Sequence, residues 1–261
     1  MHAIITGAAR GIGRAIVFRL ARDAMARSGR PAHLLLVDVR AEQLDEVATM
    51  VRAEGHAVET MAADLANADA PAVIIARMTE KFGALDLLVS NAGIVIPGDL
   101  KDLSPDDYDK TFAVNTKATW LLAVAAYPLL KQSRGNIVAT ASVSATEPTA
   151  RLGAYSASKA ALLILMRQLA DEWGPEGIRC NCVSPGAVHT PLTENVYGNP
   201  EIRDRRVQSI SLRRVAQPED IASAVSYLAG PDAAYVTGAN LMVDGGMTSG
   251  FMSMSRGNVK L

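Results

Sequence analysis

Short apolar runs alternate with longer amphipathic stretches along the whole chain. Runs such as Leu34-Leu35-Leu36-Val37 are almost continuously apolar, as strands of a parallel sheet covered on both faces must be. Such runs predict strands at residues 3–6, 33–38, 57–61, 85–90, 136–142, 178–184 and 239–243. Helices are predicted between them at 11–27, 41–54, 69–82, 105–132, 153–174 and 217–229, with a further helical insertion within 191–210. We therefore expect one α/β domain over residues 1–261, a doubly wound parallel sheet of about seven strands with helices on both faces.

Composition and charge narrow the class of protein. The chain has 261 residues, of which 49% are hydrophobic, and this suits one domain with a large core. Its 26 basic and 27 acidic residues give a net charge of −1, which provides no attraction for nucleic acid or an acidic membrane. No run approaches the roughly 20 apolar residues of a membrane span, and the first apolar run is too short for a signal peptide. We expect a soluble, cytoplasmic protein without nucleic-acid or membrane partners.

The two cysteines lie two positions apart in one predicted strand. Strand alternation points Cys180 and Cys182 to the same side, where disulfide geometry is implausible for such close neighbours. With no other cysteine and only scattered histidines, we expect core thiols and no metal site.

A glycine-rich turn follows the first predicted strand and leads into a helix, with the sequence Thr6-Gly7-Ala8-Ala9-Arg10-Gly11-Ile12-Gly13. Its three glycines allow a tight turn, close approach of a pyrophosphate to the backbone, and close packing of the helix on the sheet. Such a turn alone is often only a turn, but its place at the first strand–helix junction favours a dinucleotide site.

Asp38 ends the second predicted strand. A carboxylate at this point can accept hydrogen bonds from both adenosine ribose hydroxyls and repel a 2′-phosphate, which favours NAD over NADP. Arg10 and Arg40 favour the opposite preference, because either guanidinium could pair with a 2′-phosphate. Alternatively, Asp38 caps the helix that begins near residue 41.

Two later strand ends carry further candidates for cofactor binding. Asp64 and Leu65 could hold an adenine, with the carboxylate on the exocyclic amine and the leucine on the ring face. The small residues Asn91, Ala92 and Gly93 could let a ribose lie against the backbone, or could form an ordinary turn.

Three residues supply candidate chemistry: a hydroxyl at Ser142, a phenol at Tyr155 and an ammonium at Lys159. Tyr155 and Lys159 lie four apart on one predicted helix face, where a charge ~4–5 Å away contributes roughly 3–4 kcal/mol at a dielectric of ~20. We expect this charge to lower the tyrosine pKa toward the range of a working base, unless the pair is a solvated helix start. Ser142 ends a buried strand, where its hydroxyl can donate to a substrate oxygen. Asn115, within a predicted helix, is either a satisfied core amide or the anchor of a water near the lysine.

Together these features resemble the short-chain dehydrogenase/reductase family over nearly the whole chain, and the matching positions are Thr6-Gly7-x-x-x-Gly11-Ile12-Gly13, Asp64, Asn91-Ala92-Gly93, Asn115, Ser142, Tyr155-x-x-x-Lys159, Pro185-Gly186, Thr190, Pro218-Glu219-Asp220 and Val243-Asp244-Gly245-Gly246. The resemblance implies a Rossmann-like fold, with Tyr155 as general acid/base and Lys159 lowering its pKa and binding the nicotinamide ribose. It also implies that Ser142 polarises the substrate oxygen and that Asn115 holds a water linking Lys159 to solvent.

The resemblance places Pro185, Gly186, Val188 and Thr190 around the nicotinamide. We therefore expect hydride transfer between NAD(H) and a secondary alcohol or ketone. The alternatives are an NADPH-dependent ketoacyl or general ketone reductase and a non-catalytic dinucleotide sensor.

Substrate specificity is expected from residues 95–99, 143–153 and a lid over about 190–212. Polar residues in these segments predict a sugar, polyol, cyclic diol or hydroxy acid, and the substrate-contact candidates are Ser144, Arg151, Glu194 and Tyr197. His189 is expected to belong to the loop rather than to contact substrate.

The predicted helices 105–132 and 153–174 carry apolar or small residues on more than one side, which suggests a second buried surface. We expect a homotetramer with D2 symmetry, as the family resemblance also implies, with a second two-fold near Met247, Met252 and Met254. Alternatively, the sheet or the lid buries the surplus residues.

Overall fold

Seven parallel strands form one sheet in this computed structural model, which describes residues 1–249. The strands are β1 (His2–Thr6), β2 (His33–Asp38), β3 (Ala57–Ala62), β4 (Leu87–Ser90), β5 (Asn136–Thr140), β6 (Arg179–Pro185) and β7 (Asn240–Val243). Their order is β3-β2-β1-β4-β5-β6-β7, and every neighbouring pair is parallel. The direction of winding reverses between β1 and β4, which is where open α/β sheets bind ligands. The predicted doubly wound sheet is confirmed.

Helices cover both faces of the sheet. They are α1 (Gly11–Ser28), α2 (Ala41–Ala53), α3 (Ala70–Phe82), α4 (Pro105–Phe112), α5 (Ala118–Ser133), α6 (Tyr155–Trp173), α7 (Glu194–Tyr197), α8 (Pro200–Gln208) and α9 (Pro218–Ala229). Short 3₁₀ turns lie at Leu100–Asp102, Val143–Ala145, Gly174–Glu176 and Pro231–Ala233.

Successive residues of the central strands pack on opposite faces. Ile5, Leu34 and Leu36 join an apolar cluster with α1, α2 and α9, whereas Ile4 and Leu35 join a second cluster with α3, α5 and α6. Both clusters are buried, so a central strand has an apolar partner on either side of the sheet. This is why the central strands are almost continuously apolar.

The structure divides the predicted helix 105–132 into α4 and α5. A π-helical turn, Ala113–Lys117, separates them and includes Asn115. The chain remains helical from 105 to 133, so the predicted helix is confirmed, but the apolar pattern continues through this turn and gives no sign of the extra residue. The predicted insertion within 191–210 forms the two helices α7 and α8.

Cys180 and Cys182 lie on β6 and are free, buried thiols in the same apolar cluster. Burial raises the pKa of each thiol to about 12. These findings confirm the prediction of core thiols. Across residues 1–249 there is no cluster of histidine, cysteine and carboxylate side chains suited to a metal ion. None of the helices described in that range is long and apolar enough to cross a membrane.

Candidate active site

A cavity of about 370 Å³ opens at the carboxyl ends of the central strands. Most of the residues predicted for the cofactor and the chemistry line it together, namely Gly7, Arg10, Gly11, Ile12, Gly13, Asp38, Asn91, Ala92, Gly93, Ser142, Tyr155, Lys159, Pro185, Gly186, Val188 and Thr190. The cavity therefore lies at the switch point of the sheet.

The glycine turn brings the N-terminus of α1 to this cavity. Gly7 has a φ of 66°, and a Cβ at Gly13 would lie 1.9 Å from the Gly7 carbonyl oxygen, so the close packing requires glycine at both positions. The helix begins without a side-chain cap at Arg10 and without an acidic residue in its first turn. Its first N–H groups and positive dipole end suit a pyrophosphate.

Asn91 joins three strand ends beneath the turn. Its side-chain amide donates to the Thr6 carbonyl oxygen at 3.1 Å, and Thr140 Oγ1 donates to Asn91 Oδ1 at 3.1 Å. Thr6 Oγ1 accepts the N–H groups of Asn91 and Ala92, both at 3.0 Å. The sequence analysis did not single out Thr6 or Thr140 as functional residues, because isolated threonines give no signal of a tertiary contact.

Asp38 lies at the far end of the cavity between two arginines that also line it. Its carboxylate is buried and accepts the Ala9 N–H at 3.1 Å on one oxygen, and the Arg40 N–H at 3.1 Å on the other. The Arg40 guanidinium lies 3.3 Å from that second oxygen. Burial and the charge of Arg40 lower the pKa of Arg10, which Asp38 partly offsets. The N-cap of α2 is Arg40, so the alternative that Asp38 caps this helix is wrong.

Lys159 approaches the cavity from α6, one turn after Tyr155. Its side chain is almost completely buried, and its ammonium donates to the Thr140 carbonyl oxygen at 2.7 Å. Burial lowers the pKa of Lys159 to about 8. An ammonium in this position is held rigidly but at a cost in desolvation.

Tyr155 begins α6, and its phenol belongs to the same end of the cavity as Ser142. Burial raises the pKa of Tyr155, and hydrogen bonding by Ser142 partly offsets this rise. The predicted lowering of the Tyr155 pKa by Lys159 is therefore wrong. The lysine Nζ lies 5.9 Å from the tyrosine ring centre and is bonded to Thr140 instead.

Ser142 accepts the Ser144 N–H at 3.1 Å, which leaves its own proton available to donate. Next to it, Asn115 is a buried amide with every group satisfied. Its oxygen accepts the Ile94 N–H at 2.8 Å, and its nitrogen donates to the Ile94 carbonyl and to Ser158 Oγ, both at 3.0 Å. The structure thus favours the satisfied core amide, and the water-binding role that the resemblance implies stays a prediction.

Gly93 brings Asn115 and Lys159 together. A Cβ at this position would lie 3.2 Å from Asn115 Oδ1 and 3.3 Å from Lys159 Nζ. The absence of a side chain therefore lets the polar groups of α6 and the π-turn approach the loop after β4.

Asp64 and Leu65 lie outside the residues that line this cavity. The Asp64 carboxylate is exposed and accepts the Ala66 N–H at 2.9 Å, whereas Leu65 is buried in the apolar cluster beneath α3. The pair nevertheless follows β3 beside Asp38, whose carbonyl oxygen accepts the Ala63 N–H at 3.0 Å, and its adenine-binding role stays a prediction.

The four polar residues predicted to contact substrate are not among the residues that line this cavity, and their contact with substrate stays a prediction. Ser144 Oγ lies 2.9 Å from Thr149 Oγ1, and the Arg151 side chain is 82% exposed with Asp99 3.8 Å away. Local hydrogen bonding and solvent therefore account for both polar groups.

The other two candidates stabilise the lid. Glu194 Oε2 lies 2.8 Å from His189 Nε2, so this histidine does belong to the loop. Tyr197 is buried in a small apolar cluster with Ala187, Ile210 and Val215. The sequence does not distinguish a polar side chain that faces substrate from one that holds the lid together.

The residues that line the cavity in and beside these segments are mostly apolar. Val95, Pro191 and Leu192 lie within the predicted specificity segments, whereas Val39, Ile94 and Ala141 were missed. Their side chains carry no chemical signal; only their place just after strand ends could have indicated them.

This chain is similar to one family model, to two related proteins and to one solved crystal structure, as follows. A family model described as enoyl-(acyl carrier protein) reductase matches residues 7–248. The 2-(R)-hydroxypropyl-CoM dehydrogenase of Xanthobacter autotrophicus is 39% identical over 95% of this chain and 98% of that relative. The 2,3-dihydro-2,3-dihydroxybenzoate dehydrogenase of Bacillus subtilis is 34% identical over 95% of this chain and 96% of its own. A crystal structure of a short-chain dehydrogenase from Burkholderia cenocepacia in complex with NADP matches with a TM-score of 0.86 and 35% identity, covering 94% of this chain and 97% of that one.

Proposed function

Because the chain belongs to the short-chain dehydrogenase/reductase family, we propose that it transfers a hydride between NAD(H) and a secondary alcohol or ketone. The observation that carries this proposal is the convergence of Ser142, Tyr155 and Lys159 on one cavity that also contains the glycine turn. A hydroxyl donor, a proton acceptor and a cation are the groups that alcohol oxidation by a nicotinamide needs.

Ser142, Lys159 and Tyr155 each have a separate role in the proposed reaction. Ser142 donates to the substrate oxygen and holds it beside the phenol, and Lys159 binds the nicotinamide ribose. When bound, the nicotinamide would supply the hydride acceptor for oxidation of the alcohol carbon. Tyr155 would accept the hydroxyl proton in that direction. During reduction Tyr155 returns the proton to the oxygen.

We expect the protonation state of Tyr155 to depend on whether the oxidised cofactor is bound. Burial raises the pKa of Tyr155 and so favours the neutral phenol. The oxidised nicotinamide carries a positive charge, and a cation near the phenol favours the phenolate. We expect Tyr155 to become an effective base only when the oxidised cofactor is present.

NAD is the proposed cofactor because Asp38 presents a buried carboxylate at the end of the cavity remote from Ser142 and Tyr155. A ribose with free hydroxyls can donate to it, whereas a 2′-phosphate would be repelled. Arg10 and Arg40 line the same end and favour a second candidate, an NADPH-linked ketoacyl or general ketone reductase. The crystal structure of the Burkholderia relative is a complex with NADP, so the experiment below also tests the NADPH-linked candidate.

The test is a screen of secondary alcohols and the matching ketones with all four cofactor forms, followed as NADH or NADPH absorbance. Faster turnover with NAD(H) supports the proposal, and faster turnover with NADP(H) supports the second candidate. Cofactor binding without turnover of any compound would indicate a non-catalytic dinucleotide sensor.

We also propose that the enzyme is a homotetramer with D2 symmetry. Trp120 and Val124 on α5 are 45% and 49% exposed, and Ile164 on α6 is 60% exposed. These side chains are therefore buried neither by the sheet nor by the lid, so a second copy of the helices is the economical cover. Met252 and Met254, predicted for the second two-fold, lie outside the described residues.

A further inference from the structure

We propose that the substrate of this site is an uncharged ketone or secondary alcohol with apolar substituents. This inference rests on the proposed function, and it replaces the polar substrate that the sequence predicted. Three observations support it: where the charges of the cavity lie, how its polar groups are hydrogen-bonded, and which apolar side chains line it.

Charge is concentrated at the cofactor end. Among the described residues that line the cavity, Arg10, Asp38, Arg40 and Lys159 are the charged ones. The first three cluster around the end of β2. Lys159 Nζ lies 5.9 Å from the Tyr155 ring centre, but this residue is only 3% exposed, already donates to the Thr140 carbonyl oxygen, and binds the nicotinamide ribose in the proposed function. A carboxylate or phosphate on the substrate would therefore find no free cation beside Tyr155.

The polar groups around the lining are also occupied. Asn91 and Thr140 bond to each other at 3.1 Å. Thr193 Oγ1 accepts the Thr190 N–H at 3.0 Å and donates to the Val188 carbonyl oxygen at 2.6 Å. Ser142 and Tyr155 are left for the one oxygen that reacts. Additional substrate hydroxyls would have to give up water without gaining a partner.

The loop after β4 contributes apolar side chains to the cavity that Tyr155 also lines. Both backbone groups of Ile94 are bonded to the amide of Asn115, and that amide also donates to Ser158 in the first turn of α6. Through Asn115 these bonds tie the residue before Val95 to the first turn of α6, the turn that carries Tyr155. Val95 lines the cavity, as does the lid residue Leu192, whose side chain is 54% exposed and could be covered by a substrate.

The test compares alcohols with the same carbon ring. Initial rates are measured with cyclohexanol, trans-cyclohexane-1,2-diol and myo-inositol and whichever cofactor the enzyme uses. We expect kcat/KM to fall by roughly ten- to a hundredfold from cyclohexanol to the diol, because a hydrophobic pocket rejects an added hydroxyl by up to about that factor. A higher kcat/KM for the diol or for inositol would overturn the inference.

The variant Val95→Thr keeps the size of the side chain and adds a hydroxyl. It should reduce the preference for cyclohexanol over the diol at least about threefold, whereas Val73→Thr, an exposed position on α3, should leave the ratio unchanged. An unchanged ratio in Val95→Thr would show that Val95 does not select the substrate.

A binding measurement distinguishes a failure of the proposed function from a failure of the proposed apolar substrate. If no alcohol or ketone reacts with either cofactor, the proposed function fails. Calorimetric titration of the protein with cyclohexanone and with inositol, in the presence of NADH, still reports on the cavity. Tighter binding of cyclohexanone supports the apolar site, and tighter binding of inositol, or equal binding of the two, overturns it.

Discussion

Lys159→Met should stabilise the protein while it abolishes activity. The ammonium is buried, and its pKa is about 8 instead of the ordinary 10.5. That difference corresponds to a penalty of about 3 kcal/mol for keeping the charged form at pH 7, because each pKa unit is about 1.4 kcal/mol. Methionine fills a similar volume without a charge, but it loses the hydrogen bond to the Thr140 carbonyl oxygen. We expect the free energy of unfolding to rise by roughly 1–3 kcal/mol at pH 7.

The pH dependence has a defined sign. Because folding lowers the pKa of Lys159, the unfolded chain holds this proton between about pH 8 and 10.5 while the folded protein does not. Wild-type stability therefore rises with pH in that window, and the penalty is full below it. The advantage of Lys159→Met should shrink at about 1.4 kcal/mol per pH unit as pH rises above 8.

Urea unfolding followed by circular dichroism at pH 7 and pH 10, at one protein concentration, measures both effects. Lys110→Met, on the exposed surface of α4, is the matched control and should change stability little at either pH. The reasoning is refuted if Lys159→Met is no more stable than wild type at pH 7. It is equally refuted if the difference between the two proteins stays constant up to pH 10.

Two further predictions concern the cofactor and the assembly. Asp38→Ala should lower the NAD to NADP ratio of kcat/KM by at least about tenfold, since it removes the ribose acceptor and the repulsion of a 2′-phosphate beside Arg10 and Arg40. An unchanged ratio would remove Asp38 from cofactor selection. Light scattering at micromolar concentration should give four times the 27.6 kDa of one chain, and Trp120→Glu should reduce this mass. A wild-type mass near 27.6 kDa would exclude the tetramer.

The strands could be predicted because both faces of the sheet are buried against apolar side chains. Each residue of Leu34-Leu35-Leu36-Val37 packs into one of the two apolar clusters. The burial of this strand is therefore visible in the sequence as a continuous apolar run. The π-turn could not be predicted in this way. Asn115 lies there because its amide bonds to Ile94 and Ser158, which are distant in sequence, while the apolar pattern passes through the turn without a break.

Some features of the candidate site could likewise be predicted from the sequence, and others could not. Residues with distinctive chemistry at strand or helix ends, such as Ser142 and Tyr155, were found from the sequence and line one cavity. The substrate contacts of Ser144, Arg151, Glu194 and Tyr197 stay predictions, because polar character alone does not determine where a side chain lies. Tyr197 lies in the core of the lid, whereas Val95 and Leu192, which carry no chemical signal, line the cavity. The pKa of Tyr155 was also missed, since spacing on a helix cannot show that burial outweighs the lysine charge.

The claim that Tyr155 transfers the proton in an NAD-linked alcohol oxidation is tested most directly by comparing wild type with Tyr155→Phe. Initial rates of NADH formation from the best secondary alcohol are measured together with NAD affinity by calorimetry. The account predicts that the variant binds NAD nearly as well as wild type and that its kcat falls by ~10²–10⁴, the usual contribution of general acid/base catalysis. A variant that keeps more than about a tenth of the wild-type kcat would contradict that role.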